Sequence, residues 1–409
     1  MTDPPLDDDD GAARGPLRRR DFAIYWWAGI VSSPGNWASN VCASVLMLSL
    51  TGSPFMVGVV NFALFIPNLV FSLPAGALGD RVERRRMIVV TQSAALVVAL
   101  TMAVLSGLGS LTPWLLVATC FLLGTANAFT KPPMLALIPL LVPRPLVARA
   151  TALNVVQFQF GQIAGPGIAS VILLAATPTW AFAINAASCL GPIVAMLLIR
   201  LPASGGRGDA ARRRSSGGVI EGLRFVVRTP LMPAILAAVV LTNAAVEALR
   251  TLAPTLSAEL SIPDAAGVVI MGNSIGAMLG LVTFGLIEKV LPRRWMLPVA
   301  FGLQAVGAGM VAVGGSLPML ALGALPIGVG FSLSIPLLSA SLQMLSPDEF
   351  RSRVMAVFSM AHLGLRPVFA LVAGALATGF GGGWALAVFG VVALVVAVVV
   401  RRLPLGGLP

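Results

Sequence analysis

Five ionisable side chains stand in otherwise apolar surroundings. Glu247 and Arg250 lie in LTNAAVEALRTLAPTL, His362 and Arg366 in FSMAHLGLRPVFAL, and Lys131 in NAFTKPPMLA. In hydrocarbon each such group costs ~2.5–3.5 kcal/mol on insertion scales, so it normally faces a water-filled path or a partner. Glu247 and Arg250 are three residues apart, neighbours on a helix that can neutralise one another. Asn243, one turn earlier, extends the same polar stripe. Two chemistries fit: a proton carrier at Glu247 with Arg250 setting how readily it ionises, or a structural ion pair. His362 and Arg366 share a helical face at four-residue spacing, and His362 either lines a cavity or is satisfied by packing. Lys131 precedes Pro132 and Pro133, where a broken helix opens backbone to a cavity; a cation there suits an anionic ligand group.

The elements that must position these groups follow from composition. The 409 residues are 57% hydrophobic and 11% charged, with a mean hydropathy of +0.93. So little polar surface cannot cover a soluble chain, so lipid is the solvent for most of it. Apolar runs long enough to cross ~30 Å of hydrocarbon as helices recur twelve times, near 22–49, 54–78, 87–109, 113–140, 150–175, 178–199, 231–257, 265–287, 295–314, 318–344, 354–378 and 383–400. Alternating strand patterning is absent, so the expected fold class is an all-α membrane protein. Of 27 Lys and Arg, all but Lys131, Arg250 and Arg366 fall in alternate loops or tails, and of 16 carboxylates only Glu247 is inside a run. That asymmetry places both termini in the cytoplasm, and it argues against nucleic acid as the partner of a +11 chain. The N-terminus, MTDPPLDDDDGAARGPLRRR, has no apolar core or cleavage site of a signal peptide. Cys42, Cys120 and Cys189 lie inside spans and read as small buried hydrophobes.

The chain also repeats. PASGGRGDAARRRSSGG, residues 202–218, reads as a flexible cytoplasmic linker. It divides a six-span half at 17–201 from a second at 219–402, with tails at 1–16 and 403–409. Within the second half, 219–228 is a basic amphipathic segment expected on the inner leaflet. Gly76 precedes Arg84 and Arg85 by eight and nine residues, and Gly285 precedes Arg293 and Arg294 by the same spacing. Pro143, Arg149 and Ala152 match Pro347, Arg353 and Ala356 in the corresponding loops. Such duplication is typical of secondary transporters, whose halves rock about a midplane site.

GALGDRVERRRMI resembles the loop motif between helices two and three of the major facilitator superfamily, at Gly76, Leu78, Asp80, Arg81, Arg84 and Arg85, with Glu83 in place of the usual second glycine. TGSPFMVGVVNFALFIPNLVFSLPAGALGDR, ALIPLLVPRPLVARATALN and INAASCL are similar to the subgroup of enterobactin exporters and macrolide efflux pumps, the drug:proton antiporters. The resemblance implies twelve helices in two six-helix halves. It also implies a cytoplasmic gate in which Asp80 caps a helix near Arg351 and Arg353, as a carboxylate beside guanidinium groups would. GQIAGPG, with Gly161, Gly165 and Pro166, resembles the antiporter motif of helix five, Ala169 and Ser170 replacing its last glycines. In SSPGNW, Asn36 stands where the subgroup usually has an aspartate, so titration would rest on Glu247, with His362 as a possible second group. No helix-four arginine motif is recognisable, and Lys131 could take that role.

Asn36, Asn40, Asn61, Asn154, Gln157, Gln159 and Gln162 populate the first half, and Asn154, Gln157 and Gly161 follow one helical face. Asn40, Asn154 and Gln157 are candidate cavity lining, against hydrogen bonding between helices. Trp26, Trp27 and Trp37 read as interface anchors or packing. The expected function is export of a small drug-like or siderophore-like molecule by proton antiport and alternating access. The alternative is an uncoupled or lipid-directed carrier of an anionic amphiphile such as a lysophospholipid; a membrane enzyme or sensor is remote, since no nucleophile–base set or metal-ligand cluster occurs. No cofactor is expected, because a proton gradient or membrane potential suffices. Cargo, protons and the bilayer are the expected partners of a functional monomer in a bacterial inner membrane.

Overall fold

The computed structural model describes residues 15–200, 218–262 and 265–402. The 1–14 and 403–409 tails, most of the 202–218 linker and Asp264 therefore lie outside the described residues. Fifteen α-helices carry the described chain: α1 (Arg20–Thr51), α2 (Pro54–Arg81), α3 (Arg84–Gly107), α4 (Pro113–Leu141), α5 (Val147–Ala175), α6 (Pro178–Leu198), α7 (Gly218–Arg228), α8 (Met232–Leu241), α9 (Ala244–Glu259), α10 (Ala265–Val290), α11 (Arg293–Val313), α12 (Leu317–Met344), α13 (Asp348–Gly364), α14 (Arg366–Phe380) and α15 (Gly382–Arg402). Prolines open α2, α4 and α6, where the missing N–H would be unbonded in any case. Gly52, at φ +63°, turns α1 back toward α2, a left-handed conformation that glycine adopts without strain.

Ten stretches of described helix are long and apolar enough to cross a membrane. Two further expected spans, α1 and α5, are helices of 32 and 29 residues. Both carry serines, asparagines or glutamines, and they pack against each other in the first half. Gly161 and Gly165 make that approach possible. A Cβ on Gly161 would strike Ser33, and one on Gly165 would lie 2.9 Å from the Pro34 carbonyl. Pro166 sits inside α5, which stays one helix across it.

Two expected spans are discontinuous. The seventh breaks at Thr242–Asn243 between α8 and α9, and the eleventh breaks at Leu365 between α13 and α14. Pro367 explains the second break, since it cannot donate to the preceding turn and its ring displaces that carbonyl. At the first, Asn243 Nδ2 donates to its own helix at the Val239 carbonyl (2.9 Å), while Thr242 Oγ1 turns away to Ser334 Oγ (2.6 Å) and Gln304 Nε2 (3.0 Å). Such local bonds compete with the helical ladder.

The two halves share a core at one end and have a core each at the other. Ala38, Val41, Ala169 and Ile172 of the first half join Leu252, Leu256, Val269 and Ala373 of the second in one buried cluster at the charge-poor end. At the arginine-rich end each half has its own core, around Phe22, Ile88, Leu137 and Met196 in the first and around Met232, Phe301, Leu338 and Val354 in the second. The closing contacts are tight. Gly58 faces the Ala370 carbonyl and Gly374 the Pro54 carbonyl, each 2.7 Å from where a Cβ would stand, and Phe55 N donates to Thr378 Oγ1 (3.1 Å). Glu259 accepts from Gly382 N at 2.9 and 3.1 Å, a carboxylate at the N-terminus of α15 where the helix dipole favours it.

Candidate functional site

Both helix breaks fall at the same cluster. Glu247 lies in the first turn of α9, directly after the break in the seventh span, and Arg366 is the first residue of α14, directly after the break in the eleventh. Arg366 donates to Glu247 Oε1 through Nε (2.6 Å) and through Nη2, and Arg250 donates to the same oxygen through Nη1 (3.3 Å). All three bonds fall on Oε1; Oε2 accepts none of them. The carboxylate is 2% exposed and the guanidinium side chains 12% and 11%. Two guanidinium groups around one carboxylate are charge-assisted and geometrically fixed, and burial removes most of the solvent screening that weakens surface pairs.

The arginines also reach the other half. Arg250 Nη2 donates to Gln162 Oε1 of α5, and its guanidinium lies 5.1 Å from the Trp37 ring centroid of α1. Arg366 lies 5.2 Å from the Phe65 ring of α2. Both distances are within the range of cation–π attraction. Ser274 of α10 donates to the Gln162 carbonyl (2.8 Å). The carboxylate is thus wired to both six-helix halves at the level where their shared core ends.

His362 keeps the face of Arg366 that the four-residue spacing gives it, and the two meet Asn243 and Glu247, themselves one turn apart on the facing span. His362 is stacked between Phe331 and Phe358, both 5.9 Å between centroids, and its Nδ1 accepts from Asn243 Nδ2 (3.2 Å). It fastens the end of α13 to the break in the seventh span. Lys131 is exposed, and its Nζ donates to Asn68 Oδ1 at 3.4 Å. No described carboxylate partners Lys131.

The other sequence candidates divide by place. Asn154 accepts from the Tyr25 hydroxyl (3.1 Å), and Gln157 packs where Gly29 leaves room for it; both lie in the α1–α5 contact. Asn36 and Asn40 are half-buried on α1. Arg85 Nη2 donates to the Leu197 carbonyl (2.9 Å), capping the end of α6, and Arg84 is half-buried beside it. Of Gly76, Asp80 and Arg81 only the backbone, in the last turns of α2, is described. Arg353 pairs with Glu221 of α7 at 2.8 Å. Trp37, Phe65, Asn68 and Gln162 belong to the site without having been singled out for it. The one sequence signal was Gln162, next to Gly161 on a helix rich in amides; nothing in the apolar runs marks Trp37 or Phe65 as arginine partners.

The comparisons agree with this architecture. Residues 12–407 match the family described as transmembrane secretion effector. The multidrug efflux pump Tap of Mycolicibacterium fortuitum is 25% identical over 379 residues, 90% of each chain. The staphyloferrin A transporter of Staphylococcus aureus is 26% identical over 140 residues, 34% of this chain and 35% of that one. The crystal structure of the nucleoside transporter NupG superposes with a TM-score of 0.70 at 13% identity, covering 93% of this chain and 98% of that one, which shows a common fold. The chain belongs to the transmembrane secretion effector family of the major facilitator superfamily and is a membrane transporter.

Proposed function

We propose that the chain exports a small organic molecule across a bacterial inner membrane in exchange for protons, with Glu247 as the proton carrier. One observation carries the reading: a single buried carboxylate holds arginines from two broken spans, and one of those arginines also bonds the opposite half. A proton arriving at Oε2 would cancel the charge that holds Arg250 and Arg366 without displacing any group. The hold on Gln162 and Trp37 across the halves would then loosen. Alternating access follows if the two charge states of Glu247 favour different arrangements of the halves. With the arginine-rich end in the cytoplasm, the core that the halves share lies on the outward side. Drug-like or siderophore-like cargo is consistent with what the relatives' names say of those proteins. The aromatic rings of Trp37 and Phe65 would supply apolar contact, and Asp80 with Arg81 would latch the cytoplasmic side once it closes.

The experiment compares accumulation of fluorescent drugs and siderophores in cells carrying the parent or Glu247→Gln, each with and without a protonophore. The expected result is lowered accumulation in the parent alone, abolished by the protonophore. Protonophore-sensitive export that persists in Glu247→Gln overturns the assignment of Glu247.

The excess of cations favours a second reading. Arg250, Arg366 and Lys131 outnumber the one carboxylate expected inside the apolar runs, which suits an anionic amphiphile moved without antiport. An anion would bind best when Glu247 is neutral, so proton and cargo would load together rather than compete. Purified protein separates the two: acidification strengthens cargo binding in this reading and weakens it for an antiporter.

A further inference from the structure

The helix α7, between the two halves, has a face that the transport site does not use. At about 100° per residue, its sides follow in order around the axis. Leu223 and Val227 form an exposed apolar edge, 46% and 62% exposed. Arg224 and Arg228, also exposed, form the adjoining strip, and Glu221 comes next. The remaining side is packed: Phe225 stacks on Phe350 at 4.6 Å and 13°, a Cβ on Gly222 would stand 2.8 Å from the Arg353 carbonyl, and Val226 is fully buried. Glu221 and Arg353 close the contact at 2.8 Å. The helix is therefore fixed to the arginine-rich end of α13, and the bend at Pro230 and Leu231, where Leu231 has φ +69°, turns the chain from α7 into the membrane-spanning α8.

We propose that this exposed face docks anionic phospholipid of the inner leaflet. An apolar edge beside two arginines one turn apart is what an interfacial helix presents: the leucine and valine enter the acyl boundary while the guanidinium groups bond headgroup phosphates. The charge is complementary, since Glu221 is turned to Arg353 and leaves Arg224 and Arg228 without a described carboxylate. Anionic lipid bound here rests on the helix that holds Arg353, and α13 runs from there to His362 at the transport site, a distance of about 14 Å along its axis.

The test uses the full-length chain with Val227→Cys carrying an environment-sensitive fluorophore; the native cysteines are buried. Detergent micelles holding it are titrated with phosphatidylglycerol or phosphatidylcholine. The expected result is a blue shift at low phosphatidylglycerol and none at the same level of phosphatidylcholine. Arg224→Gln with Arg228→Gln should raise the phosphatidylglycerol required about 25-fold, about five-fold per arginine, and the paired lysine variants should restore it. Equal response to both lipids overturns the proposal, as does a glutamine variant that titrates like the parent. Should the glutamine variant fail to fold, the parent alone decides: about 0.5 M salt should erase the preference for phosphatidylglycerol by screening, and a preference that survives refutes docking by charge.

Discussion

Replacing Arg366 by methionine would remove both of its hydrogen bonds to Glu247 Oε1 and leave Arg250, at 3.3 Å, as the sole described guanidinium partner of a carboxylate 2% exposed. Methionine keeps much of the aliphatic volume beside Phe65, so the loss falls on the pairing rather than on packing. Removing one partner of a buried pair costs about 3–5 kcal/mol, because the remaining charge stays buried without compensation. At about 2 °C per kcal/mol for a large chain, the thermal midpoint in detergent should fall by about 6–10 °C. Glu247→Gln with Arg366→Met removes both charges. It should recover part of the loss, with a coupling within the ~0.5–3 kcal/mol range found for contacting residues. The assay is thermal unfolding of the purified parent, both single variants and the double variant, at one pH and scan rate. A loss below about 1 kcal/mol for Arg366→Met, or a double variant equal to the sum of the singles, would refute the view that this carboxylate is held by its arginines.

Gly374→Ala places a Cβ 2.7 Å from the Pro54 carbonyl, in the contact that closes the charge-poor end. Spin labels at Phe55→Cys and Phe380→Cys should then move apart, whereas an unchanged distance would mean that this contact does not hold the end shut. Glu259→Gln keeps the shape but removes the carboxylate that accepts from Gly382 N; a loss of about 0.3–1 kcal/mol, the usual worth of a charge at a helix terminus, is expected in the same unfolding assay.

Much of the architecture was legible without coordinates. Lipid as solvent, twelve apolar runs, the arginine asymmetry and the duplicated loops depend on composition and on the length of helix that spans hydrocarbon, both local to the sequence. The ionisable set was legible for the same reason: a charge among apolar residues is conspicuous wherever it finally points. Gly161 and Gly165 stood out in GQIAGPG, and their contacts with Ser33 and the Pro34 backbone show which helix they admit.

The pairing of those residues was not legible. Helical spacing put Glu247 with Arg250 and His362 with Arg366. Both pairs keep the faces that spacing gives them, but their further partners lie on another span. Arg366 then meets a carboxylate 119 residues away, while His362 meets Asn243 at the same separation. For Asn154 and Gln157 spacing left cavity lining and bonding between helices open, and it did not name Tyr25 of α1 as the group that donates to Asn154. Sequence alone determined which groups this protein keeps in the membrane. Only the packing of its helices decided which of them touch, because a buried charge finds its partner by proximity in the folded bundle, and proximity between helices is written in no single stretch of chain.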